Sequence, residues 1–179
     1  MHFTAGDLAG VWVIDVAPRG DPRGFLARTY SVDTFAAHGL CTRWVQTSTV
    51  FNPLAGTLRG MHLQRAPAAE VKVVRCTAGR VYDVMLDLRP HSPTFCRWSA
   101  VELSADNRRM VYIPEGLAHG MQTLEPDSEL FYMMSEFYTP AAATGVRWND
   151  PAFAIEWPPP PATGRVISPK DQEWPDFHV

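Results

Sequence analysis

The 179-residue sequence has no basic excess, no paired cysteine motif and no long apolar run. Lys and Arg number 16 against 19 Asp and Glu, for a formal net charge of −3. A general nucleic-acid or membrane-surface binder needs the opposite balance, so only a local basic site remains open. The three cysteines, Cys41, Cys76 and Cys96, are scattered, odd in number and form no CxxC pair. A disulfide framework or zinc knuckle is therefore not expected, and the thiols read as small buried hydrophobes. No segment approaches the ~20 apolar residues that span a bilayer. The N-terminal stretch MHFTAGDLAGVWVIDV lacks the charged start, apolar run and small-residue cleavage site of a secretory leader. The expected location is the cytoplasm, with no nucleic-acid or membrane partner.

Long helical periodicities are scarce as well. Sixteen prolines and 12 glycines cut the chain into short apolar runs, which read as strands rather than helices. Val71–Cys76 is one such run, and Thr77-Ala78-Gly79-Arg80 reads as a hairpin turn into the next, Val81–Leu88. There Tyr82, Val84, Leu86 and Leu88 alternate with Asp83 and Asp87, the pattern of a half-buried strand. Phe95–Leu103, Met110–Ile113 and Glu129–Tyr138 are further strand candidates. The one fair helix signal is short, Asp33–His38, with Asp33 as its cap. Trp157-Pro158-Pro159-Pro160-Pro161 cannot join a sheet ladder and reads as an extended connector. With 46% hydrophobic and 20% charged residues, the composition suits one globular domain over residues 1–179, its tail from about 158 packing back. The pattern predicts an all-β, antiparallel sandwich or barrel; periodicity does not choose between a jelly roll and its alternatives.

Three polar clusters interrupt this pattern. Leu58-Arg59-Gly60-Met61-His62-Leu63-Gln64 places Arg59 and Met61 on one strand face and Gly60, His62 and Gln64 on the other, with Gly60 as a candidate bulge. Ile113-Pro114-Glu115-Gly116-Leu117-Ala118-His119-Gly120 is a turn followed by a histidine. Ile167-Ser168-Pro169-Lys170-Asp171 lies in the tail. Two histidines in a β chain raise the question of a metal, but His62 has no histidine nearby, and imidazole sites need three or four converging ligands.

Taken together, these clusters resemble the dTDP-4-dehydrorhamnose 3,5-epimerase family over nearly the whole chain. The resemblance is carried in order by Asp21-Pro22-Arg23-Gly24-Phe25, Leu58–His62, Lys72-Val73-Val74-Arg75 and Asp83–Arg89. It continues through Ser92-Pro93-Thr94, Ile113–Gly120, Trp148-Asn149-Asp150-Pro151 and Ser168-Pro169-Lys170-Asp171. It implies a jelly-roll, cupin-like fold with a few short helices, a homodimer, no metal or other cofactor, and a dTDP-sugar substrate. The reaction implied is epimerisation of a dTDP-4-keto-6-deoxyhexose beside its ketone, in deoxysugar biosynthesis. By resemblance His62 is the base, Asp171 its carboxylate partner, Lys72 the cation near the enolate oxygen and Tyr132 the acid on the opposite face. Arg23 and Arg59 are implied to hold the diphosphate, and Gln46, His119, Lys170 and Tyr138 to make further substrate contacts.

Departures from the family pattern fall around sugar and base recognition. The usual Gln-x-Asn is here Gln46-Thr47-Ser48, and a glutamate common beyond Arg23 is Arg28. By resemblance Ser48 and Arg28 nonetheless fall at positions expected to bind substrate. The loop Thr49–Gly56 runs about one residue long, and a second family glutamate falls among Ala141–Thr144. A 3-only epimerase, an isomerase that moves the ketone, a non-catalytic sugar-nucleotide-binding cupin and a metal-dependent dioxygenase remain the alternatives.

Overall fold

Alternating apolar runs become strands that close over one another, and the computed structural model describes residues 1–178 of the chain. One sheet takes the order β1 (His2–Ala5), β2 (Trp12–Asp15), β10 (Met110–Ile113), β7 (Lys72–Ala78), β12 (Ser128–Met134) and β5 (Gln46–Asn52). The other takes the order β13 (Ala143–Gly145), β6 (Thr57–Gln64), β11 (Leu117–Thr123), β8 (Arg80–Asp87) and β9 (Trp98–Ser104). Neighbours in both are antiparallel; among the described residues only β14 (Val166–Ile167), from the tail, runs parallel, along the start of β6. A separate hairpin joins β3 (Arg19–Asp21) to β4 (Gly24–Leu26), and α1 (Val32–Ala37) and α2 (Pro169–Gln172) are single short helices. The architecture is the antiparallel all-β sandwich expected from the strand pattern, in the jelly-roll form that the resemblance implies.

Apolar side chains fill three layers. Between the sheets, Val74, Cys76, Val111 and Leu130 meet Val81, Met85, Leu103 and Met121. Outside the second sheet, Met61, Val84 and Leu86 are covered by Val146, Phe153, Ile155 and the tail's Phe177. Outside the first sheet, Ile14, Val73 and Met110 pack on Phe35 of α1. Each fully buried aliphatic or aromatic side chain contributes on the order of 1.5–3 kcal/mol. Cys76 is buried as expected, whereas Cys41 and Cys96 are only half-buried; all three thiols are unpaired.

Several local expectations are corrected. Thr77–Arg80 is no hairpin, because β7 and β8 lie in different sheets. The chain turns a corner at Gly79, whose φ is +66° and whose missing side chain leaves room for Ser128, and the Arg80 N–H donates to Ser128 Oγ at 3.2 Å. Strand β8 is buried on both faces rather than one, because the tail region covers its outer side; Asp83 and Asp87 are both 0% exposed. Ser31, not Asp33, stands before the first helical residue, and Asp33 sits in the first turn. There its charge still faces the free N–H groups. Strand β9 starts at Trp98 because residues 92–97 form tight turns. Strand β12 stops at Met134, and the buried Gln64 amide then holds the departing chain at Phe137 O (3.1 Å) and Thr139 N (2.6 Å).

Asp87 is a structural ionised group. Burial alone raises its pKa, but donors from Arg89, Ser92 and Thr94 outweigh that and bring it to about 2. A carboxylate depressed from 3.8 to about 2 stabilises the folded chain by about 2 kcal/mol at neutral pH, on the scale of 1.36 kcal/mol per unit. That contribution is complete above the unfolded value and fades as pH falls toward the folded one. Asp87→Asn is expected to lose about that much at pH 7 and to flatten the stability curve between about pH 4 and pH 2, as read by urea unfolding across pH.

Candidate active site

A cavity of about 450 Å³ opens between the two sheets. Its floor and walls come from β5, β6, β7, β11 and β12, with the tail at its edge. Strand β6 supplies Arg59, His62 and Gln64 to it together. Simple alternation puts Arg59 and His62 on opposite faces, and the structure corrects this. The ladder to β11 shifts register between the pair His62↔His119 and the pair Arg59↔Met121. One extra residue reverses the parity, so Met61 turns outward into the second core while Arg59 and His62 share the cavity. Gly60, with φ +136°, permits this: a Cβ there would lie 2.5 Å from the Gly120 Cα.

The tail completes the His62 site. Ser168 caps α2 by accepting from the Asp171 N–H at 3.2 Å, and the helix turns Asp171 inward until it is 4% exposed. Its Oδ1 lies 2.6 Å from His62 Nε2, and its Oδ2 accepts from the Gly60 N–H at 3.2 Å. Burial raises the Asp171 pKa, but the hydrogen bond and charge of His62, with the Gly60 and Ser168 contacts, bring it below the ordinary carboxylate value. Asp171 is thus an ionised acceptor that fixes one imidazole nitrogen. Nδ1 of His62 has no protein partner among the described residues, and the ring lines the cavity.

The facing sheet supplies Lys72 and Tyr132. Lys72 Nζ sits 2.7 Å from Glu70 Oε1. Tyr132 packs against the core between the sheets and lines the cavity, and among the described residues its hydroxyl has no protein hydrogen-bond partner. Beside His62, on β11, His119 bonds through Nε2 to both oxygens of Asp83, at 3.0 and 2.9 Å. Arg59 Nε donates to the buried Asn52 at 2.8 Å, leaving its terminal amines to the cavity. Gln46 and Tyr138 also line it, and the Gln46 side-chain Oε1 accepts from the Tyr138 N–H at 3.1 Å. Lys170 joins from α2, its Nζ 5.6 Å from the ring of Trp174, which also lines the cavity. Among the described residues, no group of three or more His, Cys, Asp or Glu side chains is placed to hold a metal ion.

Three expected residues are not brought there. Arg23 projects on the β3–β4 hairpin, its side chain 90% exposed and paired only with Asp21, and Arg28 is exposed just beyond it. Ser48 pairs with Tyr132 across the ladder but is not among the residues lining the cavity. Four residues that shape the site went unassigned by sequence: Asp83, Asn52, Glu70 and Trp174. Asp83 carries a readable signal, an acid in the middle of a strand, with apolar residues on both sides of it. Asn52 closes β5, whose polar sequence QTSTVFN carries no apolar alternation to mark its inward face, and Glu70 and Trp174 lie outside the strands, in a connection and the tail.

A family profile described as dTDP-4-dehydrorhamnose 3,5-epimerase matches residues 5–178. The chain belongs to the dTDP-4-dehydrorhamnose 3,5-epimerase family. The Salmonella typhimurium enzyme of that name is 41% identical over 83% of this chain and 81% of its own. The crystal structure of the dTDP-4-dehydrorhamnose 3,5-epimerase from Elizabethkingia anophelis superposes with a TM-score of 0.94 at 34% identity, covering 99% of this chain and 96% of that one. A 3'-monoepimerase from Streptomyces bikiniensis, solved with dTDP-quinovose, gives a TM-score of 0.87 at 30% identity over 95% and 85% of the two chains.

Asp171→Ala leaves the buried Gly60 N–H without its acceptor and unties α2 from β6. An unpaired buried donor costs roughly 1–3 kcal/mol. Urea unfolding is expected to show a loss in that range, and limited proteolysis to show earlier cleavage in the tail.

Proposed function

We propose that the chain is an isomerase that epimerises a dTDP-4-keto-6-deoxyhexose at C3, C5 or both, in deoxysugar biosynthesis. The observation that carries this reading is the pairing across the cavity. An imidazole braced by a carboxylate stands on one sheet, and a free phenol and an ammonium stand on the other. Hydrogens on carbons flanking a ketone are acidic because the carbanion delocalises onto oxygen. Inversion needs a base on one face of the ring, a donor on the other and stabilisation of the oxyanion.

His62 removes the proton through Nδ1, and Asp171 fixes the tautomer and steadies the imidazolium. Lys72 faces the ketone oxygen, where negative charge grows only as the proton leaves. Tyr132 returns a proton from the facing sheet. Arg59 and Lys170 supply the positive charge that a diphosphate seeks, and Asn52 aims the Arg59 guanidinium. His119, Gln46 and Tyr138 line the remaining wall for sugar and nucleotide. The tail from about residue 158 belongs to the same functional unit, since Asp171 and Lys170 sit in it; Val179 lies outside the described residues.

The reading includes a homodimer. Phe25 is 52% and Leu26 78% exposed on the hairpin that carries Arg23. Apart from the Arg108 guanidinium over the Phe25 ring, one copy leaves this apolar arm exposed and Arg23 outside the cavity lining, so a substrate-binding role for Arg23 and Arg28 calls for a second copy. Inversion at C3 alone is the alternative, favoured by the likeness to the Streptomyces bikiniensis 3'-monoepimerase.

Proton NMR in deuterated water with dTDP-4-keto-6-deoxyglucose tests the proposal and counts the centres that exchange and invert. His62→Ala is expected to lose about 10²–10⁴ in exchange rate, the usual worth of a general base; full exchange removes His62 from that role. Tyr132→Phe is expected to retain exchange while inverted product forms at least about tenfold more slowly. Normal inversion in that variant rules out the phenol as donor.

A further inference from the structure

Glu70 is the most confined charged group on the cavity wall, and the proton transfers above make no use of it. The residue is 7% exposed, in the connection that leads into β7. Its backbone neighbourhood is clamped: the Val71 N–H donates to Ser135 Oγ at 2.8 Å, and the Ser135 N–H donates to Val71 O at 3.0 Å. One carboxylate oxygen takes Lys72 at 2.7 Å. The other, Oε2, is buried and has no donor among the described residues. A buried carboxylate oxygen left without a donor is costly, and a donor on a bound molecule relieves that cost.

The pair offers a cation and an anion side by side, a donor next to an acceptor. A ketone flanked by a hydroxyl offers the complement, an acceptor next to a donor. We propose that Glu70 is a specificity-determining residue that accepts a hydrogen bond from the sugar hydroxyl at C3 while Lys72 holds the oxygen at C4. This rests on the epimerase reading and deepens it: the Lys72–Glu70 pair selects sugars that are hydroxylated beside the C4 oxygen. A site built to bond a hydroxyl rejects the analogue that lacks it, because its own buried group is then left unpaired. A role limited to holding Lys72 has a different signature. Losing it weakens every sugar that places an oxygen at C4, whether or not C3 carries a hydroxyl.

Isothermal titration of the full chain with dTDP-quinovose, which lacks the ketone and does not react, and with its 3-deoxy counterpart tests this. The chain is expected to bind the 3-hydroxy compound about tenfold or more tighter, as befits a hydrogen bond to a charged acceptor. In Glu70→Ala the ratio is expected to fall to about one. Glu70→Gln keeps an acceptor oxygen and the side-chain volume, and is expected to lie between. Equal affinities in the unaltered chain, or a ratio undiminished in both variants, overturns the assignment. If Glu70→Ala does not fold, the unaltered chain and Glu70→Gln decide it alone. Failure of dTDP-quinovose to bind at all overturns the epimerase reading and this inference together, an outcome distinct from tight but indiscriminate binding.

Discussion

One buried carboxylate ties the end of the chain to its middle. Asp171 meets His62 and Gly60 more than a hundred residues earlier in the sequence, and it does so from a helix of four residues. So short a helix has no stability of its own. It is held by the Ser168 cap, by the parallel pairing of β14 with β6, and by the Asp171 carboxylate itself. Farther out, Asp150 accepts the Phe177 N–H at 2.7 Å, and the Phe177 ring packs on the outer core. The proposed base is therefore competent only while the tail is docked, so the last elements of the chain are as much part of the site as the strands.

The sandwich then sets the sidedness of the chemistry. Strand β6 and strand β12 belong to different sheets, and their inward side chains face one another across the cavity. Residues that departed from the family pattern lie off that axis. Ser48 does not line the cavity and Arg28 stands on the exposed segment after the β3–β4 hairpin, whereas His62, Lys72, Tyr132 and Asp171 gather at one place. In the proposed reading, proton transfer rests on this central group, and recognition of the sugar draws in addition on Glu70 beside Lys72.

Much of this was legible in the sequence, for physical reasons. Period-two alternation and frequent Gly and Pro marked the strands, so Met110–Ile113 and the span from Val71 to Asp87 were readable within a residue or two. Alternation carries no information on which sheet a strand joins, and the corner at Gly79 was read as a hairpin for that reason. It also fails at a bulge: Gly60 was visible as a candidate, yet its effect is to reverse the parity that placed Arg59 away from His62. Asp171 and Lys72 were reached only through resemblance, since a Lys-Asp pair in a tail and a lysine opening a strand have no periodic signature. Glu70 lies in a connection and Asn52 ends a strand of mostly polar residues, so neither carried an apolar alternation or a motif, and only their packing reveals them.

The claim that matters most is geometric: a sugar ring lies between His62 and Tyr132. A crystal structure of the chain with dTDP-quinovose measures this directly. The account predicts His62 Nδ1 within about 3–3.5 Å of C3 or C5 on one face of the ring, and the Tyr132 hydroxyl on the opposite face, the separation from which proton transfer proceeds. A sugar seated outside the cavity, or both groups on the same face of the ring, contradicts it.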